Sequence, residues 1–254
     1  MKRMMFFLIL LLILGVSSMA AILVEPSRFI LQIEPGKKET GAITIINTGD
    51  TPANLAAILY DWDISSDGKL NETVAGTRTD TLNGLIKFNP RQFTINPGQS
   101  QIVRFTIEAP KDNIEHKGIV FFEETIASGG EVGTLITTKI GATIYAAPKG
   151  VKLSLQFQDI TVTSKNDKVS LNIKAVNNGN AHLRMTVIYQ LQNKAGKKLK
   201  DGSLSEQVLL CAKDATFSLP IANNLPSGDY RLILDIAFYG VESRLNRAIE
   251  FSIP

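Results

Sequence analysis

The sequence contains few side chains that could support catalysis or bind a metal ion. His116 and His182 are the only histidines, and they lie far apart, without metal-ligand spacing to each other or to Cys211, the single cysteine. Each histidine lies in a polar turn and is predicted to be solvated. Cys211 follows an apolar run and is predicted to be a small buried side chain, with a reactive thiol as the alternative. We therefore predict that the protein is not an enzyme and uses no metal and no cofactor.

Two groups of carboxylates are the remaining candidates for chemistry. Asp61 and Asp63 lie close together, and Asp67 precedes Gly68. Paired carboxylates could act as acid and base or bind calcium, but Asp67-Gly68 is first a turn signal, and the calcium-loop pattern is absent. The glycine-rich residues 129–133 precede a predicted strand rather than a helix, so they indicate a hairpin loop and not a phosphate-binding loop. We expect no small-molecule substrate.

Residues 1–20 have the layout of a secretory signal peptide. Lys2 and Arg3 give a charged start, residues 4–16 are almost entirely apolar, and Ser18 and Ala20 are small residues before a cleavage point. The apolar run is short for a membrane span of about 20 residues, and an uncleaved N-terminal anchor is the alternative. Removing Lys2 and Arg3 lowers the formal charge from +3 to +1. A near-neutral chain has no electrostatic footprint for nucleic acid, so we expect an exported protein that does not bind it.

Short runs rich in isoleucine, valine, threonine and phenylalanine recur along the rest of the chain. Turn residues separate them, and almost nothing has a helical period. This pattern predicts an all-β protein built from antiparallel sandwiches. The predicted strands are residues 42–47, 53–62, 101–107, 118–125 and 134–146 in the first half, and 151–163, 169–176, 183–192, 205–210, 230–239 and 247–253 in the second.

Two segments of the chain repeat one design. A strand leads into Asn47 and Gly49 and then into a second strand, and another strand leads into Asn177 and Gly179 in the same way. Asparagine and glycine tolerate the positive φ that tight connections require. The repeat predicts two domains of related design with a boundary near Pro148, where proline and glycine separate two strands. We expect a signal peptide at 1–20, an N-terminal domain at 21–148 and a C-terminal domain at 149–254.

Two turns allow more detailed predictions. Pro97 begins a turn before a strand in which Val103, Phe105 and Ile107 share one face, so Arg104 is expected on the other face as a surface arginine. Tyr230 follows a Pro-Ser-Gly turn. In sandwich domains a tyrosine at such a corner hydrogen-bonds back across the turn, and a half-buried ring without that bond is the alternative.

The first half of the sequence resembles the periplasmic pilus-assembly chaperones. The likeness covers roughly residues 22–148 and continues more faintly to the end. The motifs that carry it are SRFIL at 27–31, ITIINTGDTP at 43–52, NPRQF at 89–93, NPGQSQIVRF at 96–105, IVFF at 119–122 and YAAP at 145–148. The resemblance implies two immunoglobulin-like antiparallel β-sandwich domains after an N-terminal signal peptide, in a periplasmic protein.

The resemblance also implies a function. Members of that family bind exported pilus subunits that lack one strand of their own sandwich. The chaperone lends an edge strand, so that backbone hydrogen bonds give affinity and alternate side chains give register. An arginine and a lysine in the cleft between the two domains hold the terminal carboxylate of the subunit through charge-assisted hydrogen bonds.

The cleft cations are assigned as follows. Arg28 lies where the family has its cleft arginine, and an ordinary strand arginine is the alternative. The family's lysine is expected near Thr143, and the nearest lysine is Lys139. Both Arg28 and Lys139 are therefore predicted to bind the partner.

The lending strand is predicted within residues 134–145. Ile136, Thr138 and Ile140 share one face of it and are predicted to contact the partner. Packing against the core of this protein is the alternative for the two isoleucines.

We therefore predict an exported periplasmic chaperone-like protein that binds pilus or other surface subunits by β-strand augmentation. Its expected partner is an extended segment of an exported subunit, with an outer-membrane usher as a further partner. A homodimer through open strand edges is also allowed. The alternative is a structural or adhesive cell-envelope β-sandwich protein without chaperone activity.

Overall fold

The computed structural model describes residues 22–65, 68–128, 134–239 and 241–254, except for the side chains of residues 125–128, 134–136 and 241–243. Every regular element in these residues is a β-strand, which confirms the all-β prediction. The predicted signal peptide, Asp67 and the loop at 129–133 lie outside the described residues. Within the described part of the chain, no helix has the length and hydrophobicity needed to cross a membrane.

The first ten strands form two sheets that we call the N-terminal sandwich. They are β1 (Ile22–Glu25), β2 (Arg28–Ile33), β3 (Lys38–Asn47), β4 (Ala53–Ile64), β5 (Leu70–Val74), β6 (Ile86–Asn89), β7 (Gln92–Ile95), β8 (Ser100–Glu108), β9 (His116–Ser128) and β10 (Thr134–Pro148). One sheet has the order β1-β3-β8-β6, and the other has the order β2-β10-β9-β4-β5 with β7 also paired to β4. The β2–β10 pair is parallel, and the other pairs are antiparallel.

The next seven strands form two sheets that we call the C-terminal sandwich. They are β11 (Leu155–Lys165), β12 (Lys168–Asn177), β13 (Leu183–Asn193), β14 (Lys198–Leu209), β15 (Asp214–Asn223), β16 (Gly228–Phe238) and β17 (Val241–Ile253). Their orders are β11-β12-β15 and β14-β13-β16-β17. Each sandwich has its own apolar core, because alternate side chains of its strands point between its two sheets.

Strand β8 shows how the sequence directs this alternation. Val103, Phe105 and Ile107 are buried in the N-terminal core, whereas Arg104 between them is exposed. Burying an aliphatic or aromatic side chain of this size contributes roughly 1.5–3 kcal/mol. A shift of the register by one residue would exchange the two faces and bury the arginine. The predicted orientation of this strand is confirmed.

The predicted repeat is visible in the hydrogen bonds of two buried asparagines. The Asn47 amide donates to the carbonyls of Thr51 at 2.7 Å and Ile95 at 2.9 Å, and its oxygen accepts from the N–H of Gly49 at 3.0 Å. Asn177 makes the corresponding three bonds, to residues four positions and two positions later and to a neighbouring strand, at 2.8, 2.9 and 3.2 Å. Both side chains have no solvent exposure, so each fixes the same turn inside its sandwich.

Two other sequence interpretations have clear outcomes. The hydroxyl of Tyr230 donates to the carbonyl of Pro226 at 2.6 Å, so the predicted bond across the corner is confirmed.

Strand β15 was not predicted from the sequence, although Leu219 and Ile221 are buried. Pro220 lies within it and argues against a strand in the sequence. The structure accommodates this proline on an edge strand, where the register with β12 shifts between Val169 and Ser170.

Candidate functional site

The larger sheet of the N-terminal sandwich has an open edge along β10. One side of β10 pairs with β9 over residues 134–146, but the other side pairs with β2 only over residues 143–148. No described strand pairs with that other side of residues 134–142, since β1 pairs with β3 in the facing sheet. Unpaired N–H and C=O groups at such an edge can accept a further strand. We call residues 134–142 of β10 the open edge.

The direction of the free backbone groups follows from the neighbouring pairs. The N–H of Thr143 donates to the carbonyl of Ser27 at 3.0 Å, which places it on the β2 side of β10. Backbone groups alternate sides along a strand, and the pairing of β10 with β9 has no register shift. The N–H groups of Thr137, Lys139 and Gly141 therefore point out of the open edge.

The three residues predicted to contact a partner strand lie along this edge. Ile140 is half-buried and packs against the N-terminal core, and Thr138 is exposed. The backbone of Ile136 is paired with Ile126, and its side chain lies outside the described residues. Packing of Ile140 against the core is therefore observed, and partner contact by the three residues stays a prediction.

Lys139 is held on the outer face of the same sheet. Its ammonium donates to Glu72 at 2.6 Å and lies 3.7 Å from Glu123. It also lies 4.6 Å from the centre of the Tyr60 ring, a distance that permits a cation–π interaction. The hydrogen bond to Glu72 raises the pKa of Lys139. Lys139 is thus a charged residue with partners in the free protein.

Arg28 is the first residue of β2 and lies beside Thr143 in the parallel pair. Lys139 is four residues away along β10, or about 13 Å at the usual rise of a strand. The structure does not bring these two predicted cations together. The side chain of Arg28 is 41% exposed and its Nη1 donates to Oε1 of Glu206 at 3.4 Å. This contact joins the two sandwiches.

Sequence reasoning missed the second arginine at this position. Arg184 of β13 has a side chain that is only 9% exposed. Its Nε and Nη2 donate to the same Oε1 of Glu206 at 2.9 Å and 2.5 Å. Hydrogen bonding to Arg184 holds the pKa of Glu206 below its usual value. The signal available in the sequence was a charged residue between Leu183 and Met185, two apolar residues of a strand.

A buried stack connects β10 to the C-terminal sandwich. The ring of Tyr145 lies 3.9 Å from the ring of His182, nearly parallel to it. His182 Nδ1 lies 2.8 Å from both carboxylate oxygens of Glu115. Burial raises the pKa of Tyr145 to about 12, so the phenol is neutral at physiological pH. Trp62 packs edge-on against the same tyrosine, which closes the seam between the sandwiches.

The prediction that both histidines are solvated was wrong. His182 and His116 are buried, because residues near the seam are covered by the opposite sandwich or by a neighbouring loop. His116 Nδ1 lies 2.7 Å from the carbonyl of Thr81, and its Nε2 lies 2.9 Å from Asp112.

Cys211 is half-buried, whereas the sequence predicted a buried side chain. Burial raises the pKa of its thiol, and a raised pKa does not favour a reactive thiolate.

The carboxylates considered for catalysis have structural partners. Asp61 is fully buried and accepts hydrogen bonds from the N–H groups of Gly76 and Arg78 and the hydroxyl of Thr81. Asp63 accepts from Arg78 at 2.9 Å and from Lys213 of the C-terminal sandwich at 3.2 Å. Among the residues that the structure describes, no group of three histidine, cysteine, aspartate or glutamate side chains could hold a metal ion.

Comparison with known proteins places this geometry in context. No protein-family model matches the chain. It is 30% identical over 97 residues to the probable fimbrial chaperone EcpE of Escherichia coli O18:K1:H7, covering 35% of this chain and 41% of the relative. EcpE of Escherichia coli O157:H7 is 29% identical over the same length. The matched region thus spans less than half the length of these curated relatives.

A solved structure supports the fold over most of the chain. It comes from a study of a chaperone–tip adhesin complex in CFA/I fimbriae biogenesis. It aligns with a TM-score of 0.50 and 16% identity over 90% of this chain and 98% of that chain. At this identity the likeness shows the fold of two immunoglobulin-like sandwiches and not the function. The match to EcpE over 97 residues confirms the predicted resemblance to the fimbrial chaperones.

Proposed function

We propose that this protein is a periplasmic chaperone that binds pilus or other surface subunits by β-strand augmentation. The observation that carries the proposal is the open edge of β10, which ends beside Arg28 at the seam between the two sandwiches. A partner strand would pair with the N–H and C=O groups of Thr137, Lys139 and Gly141. The match to a fimbrial chaperone over part of its length supports this reading.

The side chains of the edge would set the register of the bound strand. Ile136, Thr138 and Ile140 lie on alternate positions of β10, so they would contact one face of the added strand. Ile140 is only half-buried, which leaves apolar surface for a partner to cover. Lys139 would contact the outer side of the complex, and its ion pair with Glu72 would have to open before it reached a carboxylate.

Arg28 would anchor the end of the bound strand. Arg28 pairs with Thr143, the first residue of β10 that is paired with β2. An added strand that follows the open edge must therefore stop there. A terminal carboxylate at that point would accept charge-assisted hydrogen bonds from the guanidinium, which are among the stronger hydrogen bonds in proteins. The exposure of Arg28, at 41% of its side chain, leaves it accessible.

The proposal extends to organisation and partners. Residues 1–20 would be removed on export, and residues 21–148 and 149–254 would be the two domains. An outer-membrane usher would receive the bound subunit, and a homodimer through the open edge would compete with subunit binding. The alternative of a structural or adhesive envelope protein is not favoured by the match to a chaperone.

The proposal can be tested by isolating the protein from the cell envelope with its bound partners. Wild-type protein, Arg28→Ala and Arg104→Ala are compared, since Arg104 is an exposed arginine of the facing sheet. We expect wild type and Arg104→Ala to retain a subunit with an incomplete sandwich, and Arg28→Ala to lose most of it. Equal recovery with all three proteins, or recovery of this protein within an assembled surface layer, would contradict a chaperone role.

A further inference from the structure

Two arginines from different sandwiches share one carboxylate oxygen at the seam. Oε1 of Glu206 accepts one hydrogen bond from Arg28 at 3.4 Å and two from Arg184 at 2.9 Å and 2.5 Å. A single carboxylate therefore faces two guanidinium groups that point towards the same place. The bonds to Arg184 are short, whereas the bond to Arg28 is long and weak.

The charges at this point are unequal. Arg28 and Arg184 carry two positive charges, and Glu206 supplies one negative charge. Tyr145, which interacts with Arg184, is a neutral phenol because burial raises its pKa to about 12. His182 is paired with its own carboxylate, Glu115. The two arginines therefore have the capacity to bind a further or a replacement carboxylate.

The backbone of the C-terminal sandwich positions Glu206 for this contact. The register between β13 and β14 shifts after Met185, which pairs with Gln207, to Val187, which pairs with Leu204. Ser205 and Glu206 thus lie together opposite Thr186, in a bulge of the kind that redirects a side chain. β14 is also the edge strand of its sheet, and the Glu206 side chain is 35% exposed. The glutamate can leave the arginines without disturbing a core.

We infer that Arg28 and Arg184 form one carboxylate-binding site, and that Glu206 occupies it as an internal ligand in the free protein. The inference rests on the proposed function, since the incoming ligand is the terminal carboxylate of the bound subunit segment. Arg184 is then the second cation of the site, in place of Lys139, which is tied to Glu72. The incoming carboxylate displaces Glu206 and takes over its hydrogen bonds. Glu206 thereby lowers the affinity for a segment that ends in a carboxylate, and it leaves the affinity for a segment without one unchanged.

The test uses an N-acetylated soluble peptide of alternating valine and threonine residues, made once with a free terminal carboxylate and once with a terminal amide. Glu206→Gln removes the internal negative charge with little change of shape. We expect it to bind the carboxylate peptide about 3- to 10-fold more tightly than wild type. The gain is modest because the Glu206 carboxylate is partly exposed and solvent takes its place at little cost. The affinity for the amide peptide should not change.

Matched variants separate the effect of Glu206 on peptide binding from the effect of Arg184. Arg184→Gln combined with Glu206→Gln leaves no buried unpaired charge, and it should lose the gain in affinity. Glu206→Asp restores a carboxylate and should return the affinity towards the wild-type value. Glu108→Gln is the control, because Glu108 pairs with the exposed Lys38 on the facing sheet. Thermal unfolding of each variant verifies that the sandwiches remain folded.

The outcomes distinguish this inference from the proposed function. If Arg28→Ala weakens binding of the carboxylate peptide but Glu206→Gln does not strengthen it, the internal-ligand inference is wrong and the chaperone proposal stands. If Arg28→Ala binds both peptides as wild type does, the carboxylate anchor of the proposed function is wrong as well. Failure of both wild type and Glu206→Gln to bind either peptide also counts against the inference.

Discussion

Proline substitution at two adjacent residues of β10 tests the open edge directly. The N–H of Thr137 points out of the edge, whereas the N–H of Thr138 points towards β9, as follows from the Thr143 bond to Ser27 and the regular β9 pairing. Proline removes one N–H in either case. The two substitutions therefore have opposite consequences, although the two residues have the same side chain and are both exposed.

The size of each effect depends on whether the bound strand or strand β9 loses a hydrogen-bond donor. Thr137→Pro removes one hydrogen bond to a bound strand and leaves a carbonyl of that strand unpaired, at a cost of about 1–3 kcal/mol. This cost corresponds to a dissociation constant raised roughly 5- to 150-fold. The free energy of unfolding should change by less than about 1 kcal/mol, because proline is tolerated on the free side of an edge strand.

Thr138→Pro should instead destabilise the free protein. It breaks a bond of the β9–β10 ladder inside the sheet and leaves a carbonyl of β9 unpaired, which we expect to lower the free energy of unfolding by about 1–3 kcal/mol. Unfolding in urea measures the stability of both variants, and titration with the free-carboxylate peptide measures the dissociation constant. Wild-type affinity in Thr137→Pro, or greater destabilisation by Thr137→Pro than by Thr138→Pro, would refute the assigned direction of the edge.

Three further predictions concern stability. Asn47→Ala and Asn177→Ala should each lower the free energy of unfolding by about 3 kcal/mol, at about 1 kcal/mol for each of three buried hydrogen bonds. Urea denaturation would measure this loss, and destabilisation by only one of the two substitutions would contradict the repeat. Tyr230→Phe should cost about 1 kcal/mol through its bond to Pro226, and a thermal scan with no shift would oppose this. The pKa of Glu206 is lower in the folded protein than in the unfolded chain. The contribution of Glu206 to stability is therefore present above the unfolded pKa of about 4.3 and is lost as the pH falls through the lower folded pKa. The stability of Glu206→Gln should depend less on pH below pH 4.5 than that of wild type, and identical profiles would contradict this prediction.

The local features of this fold could be predicted from the sequence because each depends on neighbouring residues. The orientation of β8 follows from alternation around Arg104, and the bond of Tyr230 to Pro226 spans only one turn. The matching bonds of Asn47 and Asn177 follow from an asparagine and glycine two positions apart. Each of these patterns involves residues that lie close together in the sequence.

The composition of the candidate site could not be predicted in this way. Arg28 and Glu206 are separated by 178 positions in the chain, and their contact depends on how the two sandwiches pack. The burial of His182 against Tyr145 has the same cause. The resemblance to a known family indicated Arg28 and Lys139 as the cleft cations, whereas Arg184 has no counterpart in the motifs that carry the resemblance.

One continuous strand connects the open edge to the seam. β10 passes from its free backbone groups, beside Arg28, to Tyr145 without a break in register with β9. The number of residues between the open edge and Tyr145 therefore fixes which way each side chain of this strand points. An insertion of one residue between Gly141 and Tyr145 would turn every later side chain over relative to the open edge, which would remove the tyrosine from its stack with His182.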